Sequence, residues 1–387
     1  MLRRDNPTQK KLFIDAMPIA SERMSGVGYA VHGYILGLAS DDEFRRSYRI
    51  ILVATAKSMK YIKKLNIPNV EYQAVPLPYR VWNRMPGLRF LPPIDLILGK
   101  GVYLFTNFRR WPLLFSPSAT LIYDMSFFAY PEFAAQRNRD FLTKNIQRWA
   151  KQSSQVITIS QFSKDEIVRT LGITESRVDV VYLGVNPKEY YRRSEDEIAA
   201  IRAKYKLPKD YIIYVGNIEP RKNISNLIRA YTGLSRPLKD LHPLILISGG
   251  GWLDNEIASD IAKAQSNGDN IIRPEIYITD IDLPAVFSGA ALLAHPSYYE
   301  GFGVSLVQAM ATGVPVLTSD NSSMREVAEQ AALLVDPTDI KAITSALEQI
   351  LSDPALRAKL IRAGYERAEM FTWDRATKEL SATIGRL

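Results

Sequence analysis

The sequence predicts an α/β protein of two doubly wound, Rossmann-like domains facing one another across a cleft. Three observations carry that expectation. Short apolar runs of strand length alternate with helical patterns along the whole chain, as parallel strands covered on both faces require. The alternation restarts at Tyr211-Ile212-Ile213-Tyr214-Val215, after Gly, Asn and Pro interrupt it near Gly184–Arg193. The length, 387 residues, is enough for two separate cores.

In the first half, Leu12-Phe13-Ile14 reads as a strand, followed by a loop containing Gly26, Val27 and Gly28 and a helix from Tyr29 to Leu38. Ile50–Ala54 reads as the next strand, and a helix follows from Lys57 to Leu65. Further strands are expected at Ile94–Leu98, Leu121–Tyr123, Val156–Ile159 and Val178–Tyr182. Ser163-Lys164-Asp165-Glu166 has the spacing of a capping box. In the second half, strands are expected at Tyr211–Val215, Leu244–Ile247, Glu275–Ile278, Ala291–Ala294, Val314–Thr318 and Ala332–Val335, with helices from Ile340 onward. The break divides the chain into domains over residues 1–185 and 186–370.

Composition narrows the chemistry. There is no cysteine, which excludes disulfides, thiolate metal sites and a thiol nucleophile. Only His32, His242 and His295 are present, so a multi-histidine metal centre is not expected. A net charge of +8 favours anionic partners such as nucleotide phosphates or lipid headgroups. No recognised nucleic-acid module accompanies it. The N-terminal Met1-Leu2-Arg3-Arg4-Asp5 leads directly into a strand, and no run approaches the ~20 apolar residues that span a bilayer. A cytoplasmic location, free or peripheral on a membrane face, is the expectation.

The most informative stretch is Tyr299-Glu300-Gly301-Phe302-Gly303, with an apolar helical run from Val304 to Ala311 and a buried-type strand after Gly313. A carboxylate and a glycine loop then stand at the mouth of a helix, where backbone N–H groups attract negative charge. Glu300 would repel phosphate, so it suits sugar hydroxyls. The local pattern leaves a capped helix with an exposed Glu equally open. Arg221 and Lys222 follow a strand and precede a helix beginning near Asn223, where a cationic pair can neutralise a leaving diphosphate. In isolation a solvated basic pair fits as well. Gly26-Val27-Gly28 lets backbone approach a phosphate or sugar closely, although a plain turn also explains it. A dinucleotide fingerprint would need glycine where Val31 stands.

These residues resemble the retaining glycosyltransferases of the GT-B fold, specifically the nucleotide-sugar-dependent family 4. The resemblance rests on five segments in order: Ile14–Pro18 with Ser25–Tyr29, Tyr123–Phe127, Ile157–Ser163, Gly216–Asn223 and Tyr299–Gly303. It implies an N-terminal acceptor domain, on which a C-terminal helix over about 371–387 packs back, and a C-terminal donor domain. It implies catalytic roles for Glu300, Arg221, Lys222, Tyr123 and Asp124. Donor contacts would come from Gly26, Val27, Gly28, Gly216, Asn217, Arg221, Lys222, Ile278, Thr279, Glu300, Gly301, Phe302, Gly303, Val304 and Gln308. It also implies retention of configuration, with no cofactor and no metal.

Two positions depart from the family pattern. Gln308 replaces a Glu that bonds the nucleotide ribose, which would suit a deoxyribose donor. Tyr123 replaces a His and cannot carry its positive charge; packing at a strand end is its other explanation. His295 reads as structural. Arg80, Trp82, Arg84 and Arg89, and again Arg109, Arg110 and Trp111, interleave basic and aromatic side chains in the half that implies acceptor binding. They suit an acceptor or an anionic membrane surface, with a solvated, partly packed face as the alternative. The motif set looks closest to mannosyltransferases, pointing to hexose transfer from GDP-mannose to a saccharide or lipid-linked acceptor in surface polysaccharide or lipopolysaccharide synthesis. Another donor (dTDP-rhamnose or UDP-glucose), or a weakly active nucleotide-sugar-binding subunit, is the alternative. A Rossmann oxidoreductase is disfavoured. Oligomeric state is not encoded legibly.

Overall fold

The computed structural model describes residues 9–22, 24–88, 91–248 and 255–387. The chain divides into two compact units, one running to Gly184 and completed by Trp373–Leu387, the other spanning Val185–Thr372.

The first unit holds seven parallel strands: β1 (Lys10–Asp15), β2 (Tyr48–Thr55), β3 (Val70–Val75), β4 (Val102–Phe105), β5 (Ser118–Leu121), β6 (Gln155–Thr158) and β7 (Val178–Val180). Their order is β3-β2-β1-β4-β5-β6-β7. The chain reverses direction across the sheet between β1 and β4, the place where such folds open a crevice at the carboxyl ends of the strands. β4 and β5 are wholly buried, which explains their continuous apolar or small composition. The C-terminal helix, Trp373–Gly385, packs on the helix Gly26–Ser40. Close approach is possible because Gly33 and Gly37 face it. A Cβ at Gly33 would lie 2.2 Å from the Trp373 ring, and one at Gly37 1.9 Å from Thr377 Oγ1.

The second unit holds β8 (Ile212–Val215), β9 (Leu244–Ile247), β10 (Ile271–Ile272), β11 (Leu292–His295), β12 (Val316–Ser319) and β13 (Ala332–Val335). The order β10-β9-β8-β11-β12-β13 repeats the winding of the first unit. Ile212, Tyr214, Leu244, Leu246, Leu292 and Leu317 form its centre with Leu227, Tyr231 and Leu347 from the covering helices.

Several local expectations are corrected. Ile94–Leu98 is not a strand: Asp95–Leu98 is a short helix, and the strand lies later at β4. β5 ends at Leu121, so Tyr123 follows the strand. Glu275–Ile278 is irregular and the strand falls at β10. β3 escaped notice because its polar residues break the apolar run. The helix expected to start at Ser163 starts at Gln161, with Ser160 as its cap accepting from Ser163 N at 3.1 Å. A true capping box lies at Ser194 and Glu197. Gly26 and Gly28 are the first turn of a helix rather than a loop, because Ser25 caps it by accepting from Gly28 N.

Candidate active site

The site is assembled by three loops at the carboxyl ends of β8, β11 and β12. After β8, Pro220–Lys222 forms one 3-10 turn that ends at Asn223, which has a left-handed backbone (φ 57°). The Asn223 amide donates to Pro296 O at 2.8 Å and Pro337 O at 2.7 Å, so it ties this turn to the loops after β11 and β13. Tyr298 N also donates to Arg221 O at 2.9 Å. After β11, Gly303 (φ +82°) turns the chain into the helix Val304–Ala311. A Cβ at Gly303 would also meet Met324 Cε at 2.3 Å, which explains glycine here.

Glu300 is the centre of this arrangement and is buried, with 5% exposure. Its Oε2 accepts from Arg221 Nη1 at 3.1 Å. Its Oε1 receives the Lys222 ammonium, His295 Nε2 at 3.0 Å and Ser297 Oγ at 3.1 Å. The backbone is pinned as well: Glu300 N donates to Ser322 Oγ at 3.2 Å, and Ser323 Oγ donates to Glu300 O at 2.8 Å. Arg221 is shared, its Nε lying 3.2 Å from Glu219 Oε2 and its Nη1 also donating to Tyr299 O at 3.1 Å. Asn217 Nδ2 donates to Glu219 Oε1 at 3.3 Å. Two cations thus face two carboxylates.

The electrostatics follow from this crowding. Burial opposes ionisation of Glu300, but the Lys222 and Arg221 charges and the His295 hydrogen bond outweigh it and hold the carboxyl well below its usual range. Burial, reinforced by Arg221, pushes the Lys222 ammonium down, while Glu300 pulls it up. Burial also pushes His295 down. A neutral imidazole fits, its ring stacked on Tyr214 at 5.3 Å and its Nδ1 3.5 Å from Ser305 Oγ.

The structure therefore brings Arg221, Lys222 and Glu300 together, with Asn217 and Gly216 on the approaching loop. It adds Glu219, Ser297, Ser322 and Ser323, which sequence reasoning passed over, and it sets His295, read from the sequence as structural, against Glu300. His295 was legible as the last residue of a buried strand five positions before Glu300. Other expected donor residues fall elsewhere in the unit. Phe302 is buried edge-on against Phe371, so its ring is core. Gln308, a turn into the helix beyond Val304, is buried and its amide donates to the Tyr190 hydroxyl at 2.9 Å. Ile278 is buried, and the Thr279 hydroxyl donates to Asp282 at 2.8 Å. Gly301 is buried beside Glu300.

In the first unit, Tyr123 is buried against Phe108, and its hydroxyl donates to Thr106 O at 2.8 Å. Asp124 accepts from Ser126 N at 2.9 Å. Gly28 lies tight against Pro18 O, whereas Gly26 opens on free space, with Val27 half-buried between them. Trp82 and Trp111 are buried and pack against each other at a tilt, with ring centroids 4.8 Å apart, so neither indole is a surface group. Arg110 is also buried, its Nε donating to Ser118 Oγ at 3.1 Å. Burial pushes its guanidinium down to about 10. Arg109 donates to Asn83 Oδ1 at 2.7 Å. Arg80 and Arg84 are exposed. Arg89 lies outside the described residues. Among the described residues, no group of three or more His, Asp and Glu could hold a metal ion, and no helix is long and apolar enough to cross a membrane.

Residues 197–367 match the family model described as glycosyl transferases group 1, and residues 45–189 match glycosyltransferase family 4. The chain is 32% identical over 263 residues, 68% of each protein, to the O-antigen chain mannosyltransferase B of Escherichia coli. This chain belongs to the group 1, family 4 glycosyltransferases. A second relative is the O-antigen chain mannosyltransferase RfbU of Salmonella typhimurium, 26% identical over 71% of each protein. The glycosyltransferase also shares its fold with Anabaena Alr3699/HepE, solved with UDP-glucose, at a TM-score of 0.70 and 17% identity over 98% of this chain and 100% of that one. Two parallel-sheet, Rossmann-like units make it a GT-B glycosyltransferase.

Proposed function

We infer that this glycosyltransferase moves mannose from GDP-mannose to a saccharide or lipid-linked saccharide in O-antigen-type polysaccharide synthesis, with retention of anomeric configuration. The observation that carries the reading is the convergence of Arg221 and Lys222 on Glu300. A diphosphate approaching the two cations exchanges with Glu300 for them, and Glu300 turns to hydroxyls of the sugar. The cations then stabilise negative charge as it develops on the departing diphosphate, the largest single contribution such a site makes. They replace the Lewis-acid role a divalent ion plays elsewhere, so no metal is required. The acceptor hydroxyl attacks on the face the diphosphate leaves, and a departing phosphate oxygen takes its proton. Mannose as the sugar is supported by the names of the relatives at 32% and 26% identity.

A second donor reading rests on Gln308, an uncharged side chain buried on the helix after the Glu300 loop. It favours a donor whose ribose offers fewer hydroxyl contacts, such as a dTDP sugar. Turnover with GDP-mannose, UDP-glucose and dTDP-rhamnose separates the donors, and the anomeric coupling of the product reports retention. Turnover with GDP-mannose alone and a retained anomer are expected. Tight nucleotide binding without turnover on any donor would instead fit a binding subunit.

A further inference from the structure

The second unit has a cavity of about 330 Å³ at the edge of its sheet opposite the candidate active site. Asp210, Ala291 and Pro315 line it, each one or two positions ahead of β8, β11 and β12. The Glu300 cluster stands on loops beyond the other ends of these strands. A four-residue strand, about 13 Å long, separates the two places. Two helices make the walls. Glu195, Ile198 and Arg202 recur at three- and four-residue spacing along the helix Glu195–Tyr205, and Arg357, Ile361 and Tyr365 at four-residue spacing along the helix Pro354–Ala368. Each helix therefore turns one face to the cavity. The space is at the lower end of the range for small-molecule sites.

The lining charges do not balance. Arg192, Arg202, Lys209 and Arg357 are set against Glu195 and Asp210. Arg192 is taken up by Glu195, with Nη2 3.4 Å from Oε1, which leaves three cations to Asp210. Arg202 Nη1 donates to Lys209 O at 2.9 Å, fixing that guanidinium in the wall. Among the described residues, the side chains of Lys209 and Arg357 make no hydrogen bond or ion pair. His242 reports the same imbalance from the interior. It is 5% exposed and its Nδ1 has no hydrogen-bond partner. Burial pushes its imidazole down, Asp210 raises it and Arg357 lowers it, so the ring lies within electrostatic reach of two lining charges. Gathering like charges around a cavity works against folding, and an anion seated among them removes that repulsion. We propose that this cavity binds a small phosphorylated sugar, its phosphate held by Arg202, Lys209 and Arg357 and its hydroxyls donating to Asp210 and Glu195. Guanidinium and ammonium donors bond phosphate oxygens strongly, and two carboxylates at the same site favour hydroxyls over a second phosphate.

The probe is mannose 6-phosphate, read by calorimetric titration and by the ring resonances of the three histidines. In the wild type it should bind and move the His242 resonances. Lys209→Glu and Arg357→Glu should each weaken binding by at least about tenfold, the loss of one charge-assisted hydrogen bond. Lys209 is exposed, so that variant does not disturb the core. Lys222→Ala should keep the His242 response, because a probe that reaches only the Glu300 cluster moves His295 instead. Turnover of Lys209→Glu and Arg357→Glu without the probe should match the wild type, which keeps this result apart from that of the donor assay. Inorganic phosphate should bind more weakly than mannose 6-phosphate, and mannose should not bind. An unmoved His242 in the wild type, full affinity in both charge variants, or a His242 response lost in Lys222→Ala overturns the proposal. Phosphate binding as tightly as mannose 6-phosphate overturns its sugar part.

Discussion

Arg221 Nη1 donates to Glu300 Oε2 at 3.1 Å across a separation of 79 positions in the chain. The contact exists because parallel winding sets β8 beside β11 and returns both loops to the same edge of the sheet. Each partner has further contacts. Arg221 also holds Glu219, and Glu300 also holds Lys222 and His295. The cluster is charge-balanced by its own carboxylates, so an anion gains access to the cations by displacing one carboxylate rather than by filling an uncompensated positive hole.

Removing either cation should therefore weaken transfer more than it weakens the fold. Arg221→Ala and Lys222→Ala are each expected to lower turnover by about 100- to 1,000-fold, the loss typical of one charge-stabilising group at a reacting centre. Calorimetric titration with a nucleoside diphosphate should show weaker binding in both variants. Unchanged turnover in both would detach the cluster from the chemistry.

Glu300→Gln acts on stability with a definite pH sign. The folded-state carboxyl titrates well below its usual 4.5, so its contribution is fully present above that pH and is lost as pH falls through the lower folded value. At pH 7 the substitution leaves the half-buried Arg221 and Lys222 short of a counter-charge, which costs up to about 3 kcal/mol, less than for a fully buried pair because Glu219 still faces Arg221. Urea midpoints of the two proteins should differ most at neutral pH and converge as the pH drops below the usual carboxylate range. A gap that stays constant into acid would show that packing rather than charge sets the loss.

The winding was legible in the sequence because buried parallel strands are runs of apolar residues, as at Ile212–Val215 and Leu292–His295. Periodicity does not separate a four-residue apolar helix from a strand, which is why Asp95–Leu98 was misread. Asp95 itself looked like a strand residue because the partners of its carboxylate lie some twenty positions away. Glu300, Arg221 and Lys222 were legible from their loops, but their pairing was not. The sequence suggested a carboxylate open to sugar hydroxyls, whereas three-dimensional proximity sequesters it. The indoles of Trp82 and Trp111 were read as surface groups because their flanking arginines are charged. Their burial depends on each other, and no local pattern reports that.

Tyr123→Phe separates the two explanations of that residue. Its hydroxyl donates to Thr106 O inside the first unit, and burial pushes the phenol well above its ordinary value, so it stays protonated. Loss of the hydroxyl leaves a buried carbonyl without this donor and should cost about 1–3 kcal/mol in stability, with turnover changing less than about threefold. A large fall in turnover with an unchanged urea midpoint would return Tyr123 to the reaction.

Asp15 carries the opposite sign to Glu300. Burial raises its pKa from 3.8 to about 6, against the pull of Met17 N, Arg109 and Trp82. Met17 N donates to Asp15 Oδ1 at 3.1 Å. The folded protein therefore holds this proton more tightly than the unfolded chain. The contribution is full below pH 3.8 and is lost as pH rises through about 6. A rise of this size corresponds to about 3 kcal/mol between the two limits. Asp15→Asn keeps the shape and an acceptor for Met17 N while removing the charge. It should leave stability near pH 4 unchanged and raise it at pH 7 by about 2–3 kcal/mol, read as a urea midpoint that no longer falls between those pH values. If the substitution lowers the midpoint more at pH 7 than at pH 4, the carboxylate is held by Arg109 and Trp82 more strongly than burial disfavours it, and the sign reverses.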